Sequence, residues 1–424
     1  MKTKLIGIFI CTLLIATAIP VIGQVKDISI SKDNDEIYPL LNGDKWIKTF
    51  GGTEYDNSWD GQQTADGGYI IVGGTESYAS VGKCDIWLIK TDTKGNKQWD
   101  KIFGGPDNDW GLSVKQTTDG GYILACKLSF DSWLIKTDAD GNIEWDKILD
   151  KYGVLSVRQT TDEGFILTGY KNLLPPQGYD ILLLKADSDG NEMWNKTYGG
   201  IGPEMGFSVQ QTNDGGYILT GGYYKTCSYL IKTDSNGDEE WIKTFGSNME
   251  GRDVLQTSNG GYTVVGRKGE EWPNTGWMIR TDEDGDIVSQ EKYCGLIMNY
   301  IPMSLFQTSD GGYIITGSAH VTLEHVLSSY LWLAKTDEYG KIQWEKIFGG
   351  FDPFDHGSAV QQTTDGGYII VGSTNSYGAG GVDIWLIKTD AHGNVPRNRA
   401  TYNSLFLWFL EQFPILQKIL SYIL

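Results

Sequence analysis

Prolines number only eleven in these 424 residues, and helix-type periodicity is scarce before residue 400. Long helices and proline-rich linkers are thereby set aside in favour of strands and turns. Basic residues are also short, with 35 Lys and Arg against 54 Asp and Glu, a formal charge of −19. A surface of that sign repels a phosphate backbone, so nucleic acid is not an expected partner, and metal cations, basic proteins or neutral glycans suit the field better. Cysteine is sparse and unpatterned. Cys11 lies in an N-terminal apolar run, while Cys84, Cys126, Cys227 and Cys294 have neither zinc-type spacing nor an adjacent pair. They read as structural thiols or one disulfide. A His/Cys metal cluster, a nucleophile elbow and a phosphate-cradling glycine loop are likewise missing. What is plentiful is glycine and large aromatics, 55 Gly with 23 Tyr and 15 Trp. Many short strands joined by tight turns, with aromatics between sheets, have that composition.

The two ends differ from the middle. Residues 1–23 carry Lys2 and Lys4, then an apolar run from Leu5, then small residues around Pro20. This is the pattern of a secretory signal peptide cut near Gly23 or Gln24; the run is short for a spanning helix. A secreted or cell-surface location follows as the expectation. Residues 24–42 read as a linker and 43–394 as the repeat domain. Residues 395–424 contain the apolar stretches Leu405–Leu410, Phe413–Leu416 and Ile419–Leu424, broken by Glu411 and Lys418. A short amphipathic C-terminal helix is predicted there, to pack on the repeat domain or to attach the protein to the envelope.

Internal repetition dominates the rest. The phrase Gln63-Thr64-Ala65-Asp66-Gly67-Gly68-Tyr69 returns in copies ending at Tyr122, Phe165, Tyr217, Tyr262, Tyr313 and Tyr368, seven in all. Each is followed by Lys-Thr-Asp-x-x-Gly or a close variant, from Lys90–Gly95 to Lys388–Gly393, with Arg280 opening the fifth copy. In the first unit four strands are expected, at residues Gly61 to Thr64, Tyr69 to Gly74, Asp85 to Asp92 and Lys97 to Phe103. Asp-Gly-Gly supplies the positive φ of a tight hairpin, and Asp-x-x-Gly-Asn suits a turn closed by a left-handed glycine. The third strand, Ile86-Trp87-Leu88-Ile89, is apolar on both faces, so each sheet must be covered on both sides, as sheets packed around an axis are. The fourth-strand phrase Trp-x-Lys-x-Phe-Gly is degraded at Ser289 and missing after Gly393, but stands at the front as Trp46–Gly51. The fold expected is therefore all-β, a seven-bladed β-propeller with four antiparallel strands per blade, closed by the N-terminal strand.

These Gly-Gly-Tyr and Lys-Thr-Asp-x-x-Gly-Asn-x-x-Trp repeats resemble a family of exported archaeal and bacterial β-propeller proteins, some labelled endoglucanases. The segment Asp138 to Trp145 is also similar to the tryptophan-docking motif of quinoprotein alcohol dehydrogenases. That resemblance implies shared blade geometry and, by itself, no cofactor. A quinoprotein enzyme would have eight blades and, in many members, adjacent cysteines, neither of which is seen here. A sialidase Asp-box would place its aromatic five residues after the aspartate, whereas Trp145 follows Asp138 by seven. Glycoside hydrolysis by a carboxylate pair stays the leading enzymatic alternative to a binding or structural module. The Asp-rich turns, such as Asp138-x-Asp140-Gly141-Asn142, partly resemble calcium loops. Glycine falls at their position four where an EF-hand needs it at six, so turn formation accounts for them, and Ca²⁺ is the one cofactor kept in view.

Any ligand site is expected on the face carrying the loops between blades and between second and third strands, because those loops vary while the other turns repeat. Eight residues before the threonine of four Gln-Thr phrases stand Asp56, Asp109, Glu204 and Asp355, with Trp59, Trp110, Phe207, Phe354 and His356 close by. The candidate ligand-binding set is Asp56, Trp59, Asp109, Trp110, Glu204, Asp355 and His356. Two roles are open for the acids, a ring facing the central opening that takes a cation, glycan or protein group, or caps on the turn into the inner strand.

Overall fold

The computed structural model describes residues 45–79, 83–128, 131–172, 178–200, 202–222, 227–269, 275–294, 298–323, 326–350 and 354–396. The signal-peptide, linker and C-terminal-helix expectations lie outside them. Within them, 28 strands form seven four-stranded antiparallel sheets. Blade 1 comprises Asp56–Gln63, Tyr69–Thr75, Asp85–Thr91 and Lys97–Phe103. The inner strands of blades 2 to 7 begin at Trp110, Tyr152, Met205, Met249, Met298 and His356, and neighbouring inner strands touch in cyclic order. The second and third strands of blade 1 are buried along their whole length, as residues apolar on both faces require. Its inner strand starts at Asp56, five residues before the Gly61 expected, because Asp56-Asn57-Ser58-Trp59-Asp60 has none of the alternation that marks a half-buried strand.

Closure occurs as the front phrase predicts. Trp46–Phe50 pairs antiparallel with the third strand of blade 7, Trp46 opposite Lys388 and Phe50 opposite Ile384. Blade 7 is thus built from both ends of the domain, and its open edge is covered.

Three repeated contacts hold the blades in register. In every blade but the fifth, the fourth-strand tryptophan packs edge-on or tilted against the Gly-Gly-Tyr or equivalent aromatic of the next. Trp46 on Tyr69 (5.6 Å), Trp99 on Tyr122 (5.9 Å) and Trp344 on Tyr368 (5.8 Å) have the same arrangement. The same indoles lie over the left-handed glycines of the next blade's Asp-x-x-Gly turn. A Cβ on Gly95 would fall 2.4 Å from Trp46 and one on Gly393 2.5 Å from Trp344, so glycine is required there for space as well as for φ. Next, the glutamine of every Gln-Thr phrase accepts a backbone N–H from the hairpin of the preceding blade. Ala65 to Gln116 (2.8 Å), Ser309 to Gln362 (2.8 Å) and, across the closure, Thr364 to Gln63 (3.4 Å) belong to that belt. Finally, the Lys of Lys-Thr-Asp reaches the Asp of Asp-Gly-Gly within the same blade, as Lys90 to Asp66 (2.7 Å) and Lys136 to Asp119 (2.8 Å) show. Blade 5 has Asn259 and Arg280 in these places.

Candidate functional site

Every inner strand carries a β-bulge at one position. Register slips between Ser58 and Asp60, Val154 and Ser156, Gly206 and Ser208, Gly251 and Asp253, Pro302 and Ser304, and their counterparts in blades 2 and 7. A bulge re-aims the extra residue, and here the bulged residues Trp59, Leu155, Phe207, Arg252, Met303 and Ser358 turn into an axial cavity of about 250 Å³. Its wall is mostly polar, with Trp59, Leu155, Phe207 and Met303 as apolar patches between charged and hydroxyl side chains. The Arg252 guanidinium lies over the Phe207 ring, 4.4 Å from its centroid, and Trp59 is 43% exposed.

Charges line the same cavity. Asp60 accepts hydrogen bonds from Lys115 (2.5 Å), Ser113 (3.1 Å) and the Val114 amide (3.0 Å), which ties blade 1 to blade 2. Asp253 is held the same way, by Ser208 (2.7 Å) and by the Leu305 amide of blade 6 (3.0 Å). Burial raises its pKa, while the Arg158 charge and these hydrogen bonds pull the other way. Arg252 and Arg267 both pair with the buried Glu250. Arg158 is different. Its Nε donates to the Val209 carbonyl (2.8 Å), and it forms no ion pair among the described residues. A guanidinium that feels the Asp253 charge without forming an ion pair, in a cavity that also holds Trp59 and Phe207, can receive an oxyanion.

The acids picked out from the sequence are placed elsewhere. Asp56 is fully buried and accepts from the Gly52 amide (2.8 Å) and the Ser77 hydroxyl (2.6 Å); Asp109 accepts from the Gly105 amide (2.9 Å). Asp355 accepts from Ser376 (2.8 Å), and Glu204 faces the Tyr229 hydroxyl at 3.5 Å. The four carboxylates therefore lie at the loops between blades, where Asp56 and Asp109 accept loop amides, and they do not line the axial cavity. Burial raises the pKa of Asp109, Glu204 and Asp355. Trp110 packs edge-on against Tyr55 (6.4 Å), Phe354 is exposed, and burial pushes His356 down to about 4, so its ring is neutral at pH 7. Of the candidate set only Trp59 reaches the cavity, together with Phe207.

The Asp-rich turns also account for their own carboxylates. Asp138 accepts from the Asp140 and Asn142 amides (2.9 and 2.8 Å) and from the Asn142 side chain (3.0 Å). Cys84, Cys126, Cys227 and Cys294 form no disulfide among the described residues, and burial pushes the Cys84 thiol up to about 12. Sequence reasoning missed Asp60, Lys115, Arg158 and Asp253. The available signal was variability inside a repeated strand. Five residues before the Gln-Thr threonine the chain runs Trp59, Leu112, Leu155, Phe207, Arg252, Met303 and Ser358, while the flanking phrases recur.

Fold and cavity together define a seven-bladed β-propeller with a lined axis. No protein-family model matches the chain, and no curated protein matches it. Solved structures do. YCF48 bound to D1 peptide aligns over 84% of this chain and 99% of its own, at 11% identity and a TM-score of 0.50. A Lactobacillus plantarum protein aligns over 77% and 97% (12% identity, TM-score 0.49). A protein of unknown function from Dyadobacter fermentans aligns over 83% and 100% (10% identity, TM-score 0.48). At such identities the likeness extends to the fold alone.

Proposed function

We propose that the chain is an exported binding module, not a catalyst, and that its axial cavity receives a carboxylate-bearing segment of a protein partner. The observation that carries this reading is Arg158, a cavity cation that forms no ion pair among the described residues. A single planar guanidinium matches a carboxylate in charge and geometry. The apolar patches of Trp59, Leu155, Phe207 and Met303 in this polar lining suit aliphatic or aromatic neighbours of such a group in a peptide. At about 250 Å³ the cavity falls below the roughly 300–1,000 Å³ of pockets that enclose whole drug-sized ligands, so it fits part of a larger partner. Hydrolytic chemistry gains no comparable support. The two carboxylates lining the cavity are already engaged, Asp60 by Lys115 and Asp253 by Ser208 and the Leu305 amide.

A peptide array and a glycan array probed with native protein and with Arg158→Gln test the reading. Retention of Asp- or Glu-containing peptides by the native protein, weakened at least tenfold in the variant, is the expected result. Retention of neutral glycans with equal strength by both proteins would replace the proposal with a lectin-like one.

A further inference from the structure

Far from the axis, at the seams between blades, like charges are brought together. At the junction of blades 3 and 4, Asp180 is the second residue of the third strand, Tyr179–Ala186, and Glu204 precedes the next inner strand, Met205–Gln211. The point a Cβ on Gly199 would occupy is 2.7 Å from Asp180 Oδ1 and 3.1 Å from Glu204 Oε2, so the two carboxylates converge on one glycine. Glu204 is only 2% exposed, and its Oε2 has no hydrogen-bond partner. No Lys or Arg among the described residues pairs with either acid.

The arrangement recurs. Asp383 and Asp56 flank Gly51 at the closing junction of blades 7 and 1 (1.9 and 2.9 Å from the same kind of point), and Asp85 and Asp109 flank Gly104 between blades 1 and 2 (2.3 and 3.1 Å). Asp383 is 1% exposed, and its Oδ1 is again unpartnered. The other four junctions pair Asp131 with Tyr152, Tyr330 with Asp355, Cys227 with Met249 and Thr275 with Tyr300, so none doubles the charge. Two carboxylates this close in a poorly solvated seam repel each other.

We propose that the Asp180–Glu204 pair is a binding site for a hard divalent cation, Ca²⁺, which links blade 3 to blade 4, with the pairs at Gly51 and Gly104 as its counterparts. Carboxylate oxygens are the donors calcium prefers. No group of three or more His, Cys, Asp or Glu gathers among the described residues, so each site is a two-carboxylate clamp with its coordination completed by water or backbone oxygen. Asp180 is half-buried, which leaves an approach for the ion, whereas Asp56 already accepts hydrogen bonds from Gly52, Thr75 and Ser77 and is the weaker ligand. Burial and the charge of Asp180 raise the pKa of Glu204 against hydrogen bonds from the Gly200 amide and the Tyr229 hydroxyl.

The test is calorimetric titration of the purified protein with CaCl₂ at pH 7, together with terbium luminescence excited through Tyr229, whose hydroxyl lies 3.5 Å from Glu204 Oε1. Saturable Ca²⁺ binding, a rise in Tm over EDTA-treated protein, and loss of sensitised terbium emission in Asp180→Asn are expected. Asp180 is half-buried and tolerates the change, so the variant stays folded; Glu204→Gln is the second probe. The proposal is overturned by absence of Ca²⁺ binding, by emission unchanged in Asp180→Asn, or by stability that rises on acidification and ignores Ca²⁺. The last outcome would mean that each pair shares a proton.

Discussion

The junction between blades 5 and 6 is built differently from the other six. Elsewhere a tryptophan seals the seam over a left-handed glycine and an aromatic, as Trp241 does against Tyr262 (5.7 Å). At the odd junction Ser289 stands in its place and gives one hydrogen bond to the Tyr339 carbonyl (3.3 Å). The same blade has Asn259 where the others have the hairpin Asp or its equivalent, and Arg280 where they have Lys. Released from that ion pair, Arg280 reaches the Tyr313 hydroxyl of blade 6 (3.2 Å) and lies over the Tyr339 ring (5.8 Å from its centroid). Hairpin acid, strand cation and seam tryptophan thus behave as one device, and where one is lost the others change with it. At this seam polar contacts replace the tryptophan while Tyr293 packs on Trp332 (5.5 Å), and each neutral hydrogen bond contributes only about 1 kcal/mol.

The comparison can be broken most severely at the closing strand. Removing residues 43–50 strips Trp46 from Tyr69 and uncovers the third strand of blade 7. Thermal unfolding should then lose cooperativity and shift strongly downward; an unchanged melt would refute closure. A smaller effect is expected at a single seam. Trp344→Ala should cost about 3 kcal/mol in urea unfolding, whereas Ser289→Ala should cost less than about 1 kcal/mol. Equal costs would erase the distinction between the two kinds of junction. Smaller again is the acid response. Burial alone would raise the Asp119 pKa, but hydrogen bonds from Lys136, Thr117 and the Gly121 amide hold it down to about 2, and Asp214 is held similarly by Lys232. A carboxyl depressed on folding contributes stability above its ordinary value of 3.8, lost as pH falls through about 2. Melts across that window should flatten in Asp119→Asn, while blade 5, with Asn259, contributes nothing to the slope.

Blade number, hairpin chemistry and ring closure were legible in the sequence because each rests on local physics repeated seven times, such as the left-handed glycines at 67 and 95. Even there blade 3 departs, with Glu163 taking positive φ where its counterparts have glycine. The inner strands were not legible. Their flanks face neighbouring blades, not a core and solvent, so the period-two signal is missing and the bulge at Trp59 cannot be seen. For the same reason the direction of Asp56 and Asp109 could not be read. One register slip decides whether a side chain faces the axis or the seam, and the acids that line the axial cavity are Asp60 and Asp253 instead.

The central claim is that Arg158 holds a partner's carboxylate in the axial cavity. A double-mutant cycle by calorimetry tests it most directly. A peptide retained on the array, its Asp→Asn or Glu→Gln analogue, native protein and Arg158→Gln give four affinities. The account predicts that each single change weakens binding at least tenfold and that the second change then adds little, a coupling of about 1.4 kcal/mol or more. Independent, additive losses, or an affinity unaffected by Arg158→Gln, would contradict it.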